Sequence, residues 1–133
     1  MNFLGSVDNL GRCLVRLETQ DSNSILLQVD TGFNGKILIT TYALPMLEDS
    51  NYLFIEGEGV KIQLADLSEQ IADYYSLKLL WFGNEEKIEA LLTTHIPKQA
   101  PKEDDPVGLI GTGMLLGCKL HIDFPSKEVE IIR

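Results

Sequence analysis

The stretch Ser24-Ile25-Leu26-Leu27-Gln28-Val29-Asp30-Thr31-Gly32 sets the reading of the chain: a short aliphatic run of strand character ends in three residues that turn a backbone. On its amino side, Cys13-Leu14-Val15-Arg16-Leu17-Glu18 has the same character, and the polar cluster Gln20-Asp21-Ser22-Asn23 between the two reads as a hairpin turn. On its carboxyl side, Lys36-Ile37-Leu38-Ile39-Thr40 is a further strand, and the segment up to Leu47 suits a helical turn. Period-two alternation is clearest in Val60-Lys61-Ile62-Gln63-Leu64, where Val60, Ile62 and Leu64 share one face. Leu77-Lys78-Leu79-Leu80-Trp81-Phe82 and Lys87-Ile88-Glu89-Ala90-Leu91-Leu92 flank Gly83-Asn84, a pair suited to a tight hairpin turn. Leu120-His121-Ile122-Asp123-Phe124 and Glu128-Val129-Glu130-Ile131-Ile132 pair around Pro125-Ser126, and a short helix fits from Met114 to Cys118. The pattern predicts an all-β domain with one short helix near its end.

The 133 residues fit a single domain, since a split would leave two marginal cores. Hydrophobic residues make up 44% and charged residues 23% of the chain, which argues against wholesale disorder and fibrous structure. The balance of charge is 11 − 20 = −9, a field that repels phosphate backbones and anionic lipid, so no nucleic acid and no membrane is expected as a partner. Cys13 and Cys118 are too few for a disulfide framework or a zinc site and read as reduced core residues. The opening residues lack a basic region followed by an apolar run, and a cytoplasmic protein is the default expectation. Pro97, Pro101 and Pro106 enclose charged residues with little to bury, which reads as a mobile surface loop.

The tripeptide Asp30-Thr31-Gly32 carries the most chemistry. A carboxylate at a strand end is held rigidly, Thr31 can hydrogen-bond locally, and Gly32 admits close approach of a substrate or a second backbone. The same three residues are also ordinary turn formers. Other constellations are weaker. His121 and Asp123 share a strand face but have only His95 as a further histidine, so they read as surface residues rather than metal ligands. Gly108-Leu109-Ile110-Gly111-Thr112-Gly113 lacks the Lys-Ser/Thr ending of a phosphate loop, and its glycines read as close-packing positions. There is no Gly-x-Ser-x-Gly elbow, and Trp81 reads as core.

Taken in order, a strand leading into Asp30-Thr31-Gly32-Phe33-Asn34-Gly35, a hairpin in mid-chain, and Leu109-Ile110-Gly111 before a helix resemble a single-lobed aspartic protease of the retropepsin-like group. The resemblance spans roughly residues 14–131. Where retroviral members have an Asp and an Arg in a buried ion pair, this chain has Asn34 and Thr112, so both partners are missing together and no buried charge is orphaned. Asp-Thr-Gly-Phe makes it look more like the bacterial relatives. Their flap turn usually reads Asp-Gly-Ser, whereas this chain has Asp66-Leu67-Ser68.

The resemblance implies a closed, mostly antiparallel acid-protease-type barrel with a flap hairpin and one short C-terminal helix. It implies a homodimer in which Asp30 from each chain forms a carboxylate dyad on the two-fold axis, with no cofactor. Thr31 would brace the two loops and Gly32 would line the cleft. The flap, turning at Ala65, Asp66, Leu67 and Ser68, would cover an extended peptide substrate held like an added strand. The alternatives are a noncatalytic dimeric peptide-binding module on the same fold and a purely structural dimer.

Overall fold

The computed structural model describes residues 2–63, 67–93 and 99–133. Ten strands form one sheet: β1 (Asn2–Val7), β2 (Cys13–Glu18), β3 (Ser24–Val29), β4 (Ile37–Ile39), β5 (Tyr52–Gln63), β6 (Glu69–Trp81), β7 (Asn84–Thr93), β8 (Gly108–Ile110), β9 (Lys119–Asp123) and β10 (Glu128–Ile132). Their order is β5-β6-β7-β4-β8-β3-β2-β1-β10-β9. The all-β reading holds, and most pairs are antiparallel, with β3–β8 and β4–β7 parallel. Among the described residues no ladder joins the two edges, β5 and β9, so the sheet is open as a hydrogen-bonded structure and the expected closure is not part of it.

Alternation sorts the side chains. In β2, Val15 and Leu17 point inward, and in β3 so do Ile25 and Leu27, all at most 1% exposed. With Ile37, Ile39, Leu77, Leu79, Ile88, Ala90, Ile110, Val129 and Ile131 they build one core. Trp81 belongs to it as expected, whereas Cys13 and Cys118 are free thiols only half-buried against it.

Several boundaries differ from those the pattern predicts. β1 is absent from the sequence reading because its Gly5 and Ser6 interrupt the apolar alternation, yet it pairs with both β2 and β10. β6 is one continuous strand, since nothing between Ile71 and Leu77 breaks it. The β6–β7 turn is Phe82-Gly83 rather than Gly83-Asn84, because Trp81 pairs with Asn84. Both turn residues have positive φ, 51° and 83°. Phenylalanine is a poor choice there on backbone grounds, and packing offsets the cost: its ring sits 4.8 Å from Trp81 and 6.1 Å from Phe3, with the Arg133 guanidinium 5.5 Å from its centroid. The helix α1 is Thr112–Leu115, two residues earlier than expected, and Gly117 at φ 79° carries the chain out of it.

The proline-flanked segment falls partly outside the described residues, among them His95 and Pro97. Its described part is tied down: Arg12 bridges Asp8 at 2.6 Å and Asp105 at 2.9 Å, and Val107 is buried. Among the described residues no helix is long and apolar enough to cross a membrane.

Candidate active site around Asp30

Asp30 is the first residue after β3, where the chain must leave the sheet without losing its backbone partners. The Asp30 N–H donates to the Ile110 carbonyl at 2.9 Å, continuing the parallel β3–β8 ladder by one step. Beyond it, the loop is fastened to the residues leading into α1. Gly111 N–H donates to Lys36 O at 2.9 Å, Thr112 N–H to Phe33 O at 2.8 Å, and Gly113 N–H to Gly35 O at 3.1 Å. The Thr112 hydroxyl donates to the same Phe33 carbonyl at 3.3 Å. Residues 33–36 and 111–113, far apart in sequence, are thus stitched into a single unit that continues from the Asp-Thr-Gly turn.

Glycine is required at Gly111 by space. A Cβ there would lie 2.3 Å from Gly35 O, 2.4 Å from Phe33 O and 2.5 Å from the Phe33 ring. Phe33 folds back over Gly35 in the same way, so aromatic ring and bare backbone fill the volume that side chains would otherwise contest. The expectation that these glycines serve close packing rather than phosphate binding agrees with these contacts.

The turn itself presents its chemistry outward. One Asp30 oxygen accepts the Gly32 N–H at 2.9 Å, which fixes the carboxylate's orientation, and the other oxygen carries no hydrogen bond from the described residues. Asp30 is half-buried, while Thr31 and Gly32 are exposed. A fixed carboxylate with one free oxygen at the edge of solvent can take or give a proton.

Which face that carboxylate serves follows from strand alternation. Asp30 falls on the side of Gln28, opposite Val29, which packs on the core. From Gln28 a row of directly paired residues runs across six neighbouring strands: Gln28, Leu109, Leu38, Leu91, Tyr74 and Ile55. None of the six belongs to the core cluster. The row is a second, mostly apolar layer on the reverse of the sheet, beginning beside Asp30, buried at Leu38, and ending exposed at Ile55 on the long β5–β6 hairpin. Sequence reasoning missed it, although Ile37-Leu38-Ile39 is apolar on both faces, the usual mark of a strand covered on two sides.

The hairpin expected from Val60 to Ser76 is present and longer than expected, with Val60 opposite Ala72 and Gln63 opposite Glu69. Of the residues assigned to its tip, Ala65 and Asp66 lie outside the described residues. Leu67, at φ 68°, is 74% exposed, and Ser68 is exposed. Toward the tip, where β7 ends beside the hairpin, the Thr93 hydroxyl donates to Gln70 Oε1 at 2.8 Å.

Two surface hollows, of about 400 and 430 Å³, lie along β1 with β9–β10 and with β2–β3, away from Asp30. Neither is lined by Asp30. Among the described residues no group of His, Cys, Asp and Glu is arranged to hold a metal, and His121 and Asp123 are exposed. No family model matches the chain, and no curated protein matches it significantly.

Proposed function

We propose that this chain is a retropepsin-like aspartic endopeptidase that acts as a homodimer, with Asp30 of each copy meeting on the two-fold axis. The observation that carries the reading is the Asp30 turn itself: a rigidly fastened carboxylate with one free oxygen, opening onto the apolar row that runs to the β5–β6 hairpin. On this reading the ten-stranded sheet is an acid-protease-type barrel, closed by side-chain packing rather than by a continuous ladder.

Two carboxylates at hydrogen-bonding distance cannot both stay ionised, so the pair holds one shared proton. The ionised member draws a proton from a water between them while the protonated member polarises the scissile carbonyl. The water oxygen bonds to the carbonyl carbon, and the amine leaves after taking a proton from the dyad. Each carboxylate alternates as base and acid, and no group beyond the two is needed. The exposed Thr31 and Gly32 are the residues free to meet the second copy and the substrate backbone. An extended peptide then lies along the apolar row, with Leu67 closing from the hairpin tip.

The test is cleavage of an unstructured peptide mixture by wild type and by Asp30→Asn, with circular dichroism on both. The amide keeps the shape and cannot exchange the proton, so folding should persist and cleavage should vanish. Cleavage by the mutant, or its absence from a dimeric wild type, contradicts the reading.

A further inference from the structure

We infer that β9 is a docking strand for a second copy of this chain, pairing antiparallel with its own symmetry mate about an axis at His121. The inference rests on the homodimer in the proposed function and adds the surface that sets its register.

β9 is one of the two edges of the sheet: β10 pairs with one side of it, and among the described residues nothing pairs with the other. Its inward residues Leu120 and Ile122 pack against the core, whereas Lys119, His121 and Asp123 are exposed on one face. An open edge is a template for another strand, and charges on it decide which strands are accepted.

The charges on β9 are arranged for itself. With the axis through His121, Lys119 faces Asp123 of the second copy, Leu120 faces Ile122, and His121 faces His121, so all five residues pair and the ionic contact occurs twice. Within one chain these charges are poorly served. Lys119 has no ion-pair partner among the described residues, and the residue opposite it on β10 is Ile132. Asp123 stands directly opposite Glu128, a like-charged cross-strand pair that costs stability when left alone. One Asp123 oxygen accepts the Ser126 N–H at 3.2 Å, leaving the other for a lysine. Lys119 of a second copy would enter beside that carboxylate and offset the repulsion from Glu128. A register shifted by two places opposes His121 to Asp123 but leaves Lys119 unpaired, so the ammonium charge selects the first. Two exposed apolar residues, Leu116 at 79% and Phe124 at 58%, flank the strand where the second copy would cover them.

Thr112, bonded to the Asp30 loop through Phe33, is seven residues from Lys119, a reach of at most about 25 Å. A dimer that uses both surfaces requires its two-fold axis to pass both His121 and Asp30.

The experiment is sedimentation analysis of wild type, Lys119→Glu, Asp123→Lys, and an equimolar mixture of the two variants. Each variant alone replaces two attractions by two repulsions and should dimerise about tenfold more weakly or worse. Both positions are exposed, and circular dichroism verifies that the variants fold. In the mixture, each reversed charge meets its complement, so heterodimers should form with affinity near that of wild type. Variants that dimerise as tightly as wild type, or a mixture no tighter than its components, overturn the β9 pairing. If that happens while Asp30-dependent cleavage persists, the peptidase stands and the surface falls. Restored association in the mixture together with Asp30-independent cleavage upholds the β9 surface and removes the Asp30 dyad.

Discussion

Gly111→Ala is the substitution whose cost can be worked most directly from the structure. The new methyl carbon would fall 2.3 Å from Gly35 O and 2.4 Å from Phe33 O, whereas carbon and oxygen normally rest about 3.3 Å apart or more. Both obstacles are backbone, so relief requires the 33–36 loop to withdraw by about 1 Å. That movement strains the hydrogen bonds from Gly111 to Lys36 and from Thr112 to Phe33, at 2.9 and 2.8 Å. Overpacking costs about 1–3 kcal/mol and each weakened bond up to about 1 kcal/mol, so the total is about 3 kcal/mol or more. For 133 residues this corresponds to a Tm lowered by about 10 °C. Displacing the Asp30 turn by the same distance should lower kcat/KM by about 100-fold. Gly11→Ala is the control: φ is 80° but no atom lies within 4 Å of the new carbon, so only the backbone preference is lost, about 1–2 kcal/mol. Thermal unfolding and peptide cleavage would be measured for both. A Gly111→Ala protein no less stable than Gly11→Ala, with unaltered cleavage, would show that close packing at Gly111 does not hold the site.

Two further outcomes follow from the described contacts. Leu67→Ser at the exposed hairpin tip should raise KM for apolar peptides several-fold with little change in stability, and kinetics identical to wild type across apolar substrates would remove Leu67 from the substrate path. The Arg12 bridge should make stability depend on pH. Burial pushes the Asp8 carboxyl upward, but the Arg12 and Leu10 N–H groups and the Arg12 guanidinium outweigh it and hold the carboxyl below its ordinary value. The Lys102 N–H, then Arg12, hold Asp105 below as well. A carboxyl lowered in the fold contributes stability above its unfolded pKa and loses it as pH falls through the folded one. Arg12→Met should therefore destabilise the protein more at pH 7 than at pH 3 in urea unfolding, and an equal loss at both would show that the bridge contributes nothing.

Much of the fold was legible because its strands alternate openly. Val60-Lys61-Ile62 declares one half-buried and one wet face, and the turn residues around Asp21 and Pro125 mark where the chain reverses. What escaped was the part decided by tertiary contacts. β1 shows no alternation of its own and is a strand because β2 and β10 offer it partners. Phe82 occupies a positive-φ position that sequence rules give to glycine or asparagine, and only the ring packing with Phe3, Trp81 and Arg133 explains it. At the site, Asp30 and Gly111 could be picked from their motifs. The row from Gln28 to Ile55 could not, since its members come from six strands and meet only through register. β9 stood between these cases: its strand character was plain, but the self-complementary spacing of Lys119 and Asp123 acquires meaning only once the strand is known to be an edge.

If one functional site is assembled from two chains, a partner lacking Asp30 must disable it. The direct test holds the wild-type concentration fixed and adds increasing Asp30→Ala protein, allows exchange, verifies mixed dimers by mass, and follows peptide cleavage. A shared dyad predicts that activity declines as mutant chains capture wild-type ones, because a mixed dimer retains a single carboxylate. Activity that stays constant while mixed dimers accumulate would mean that each chain carries a complete site, and would contradict the shared dyad.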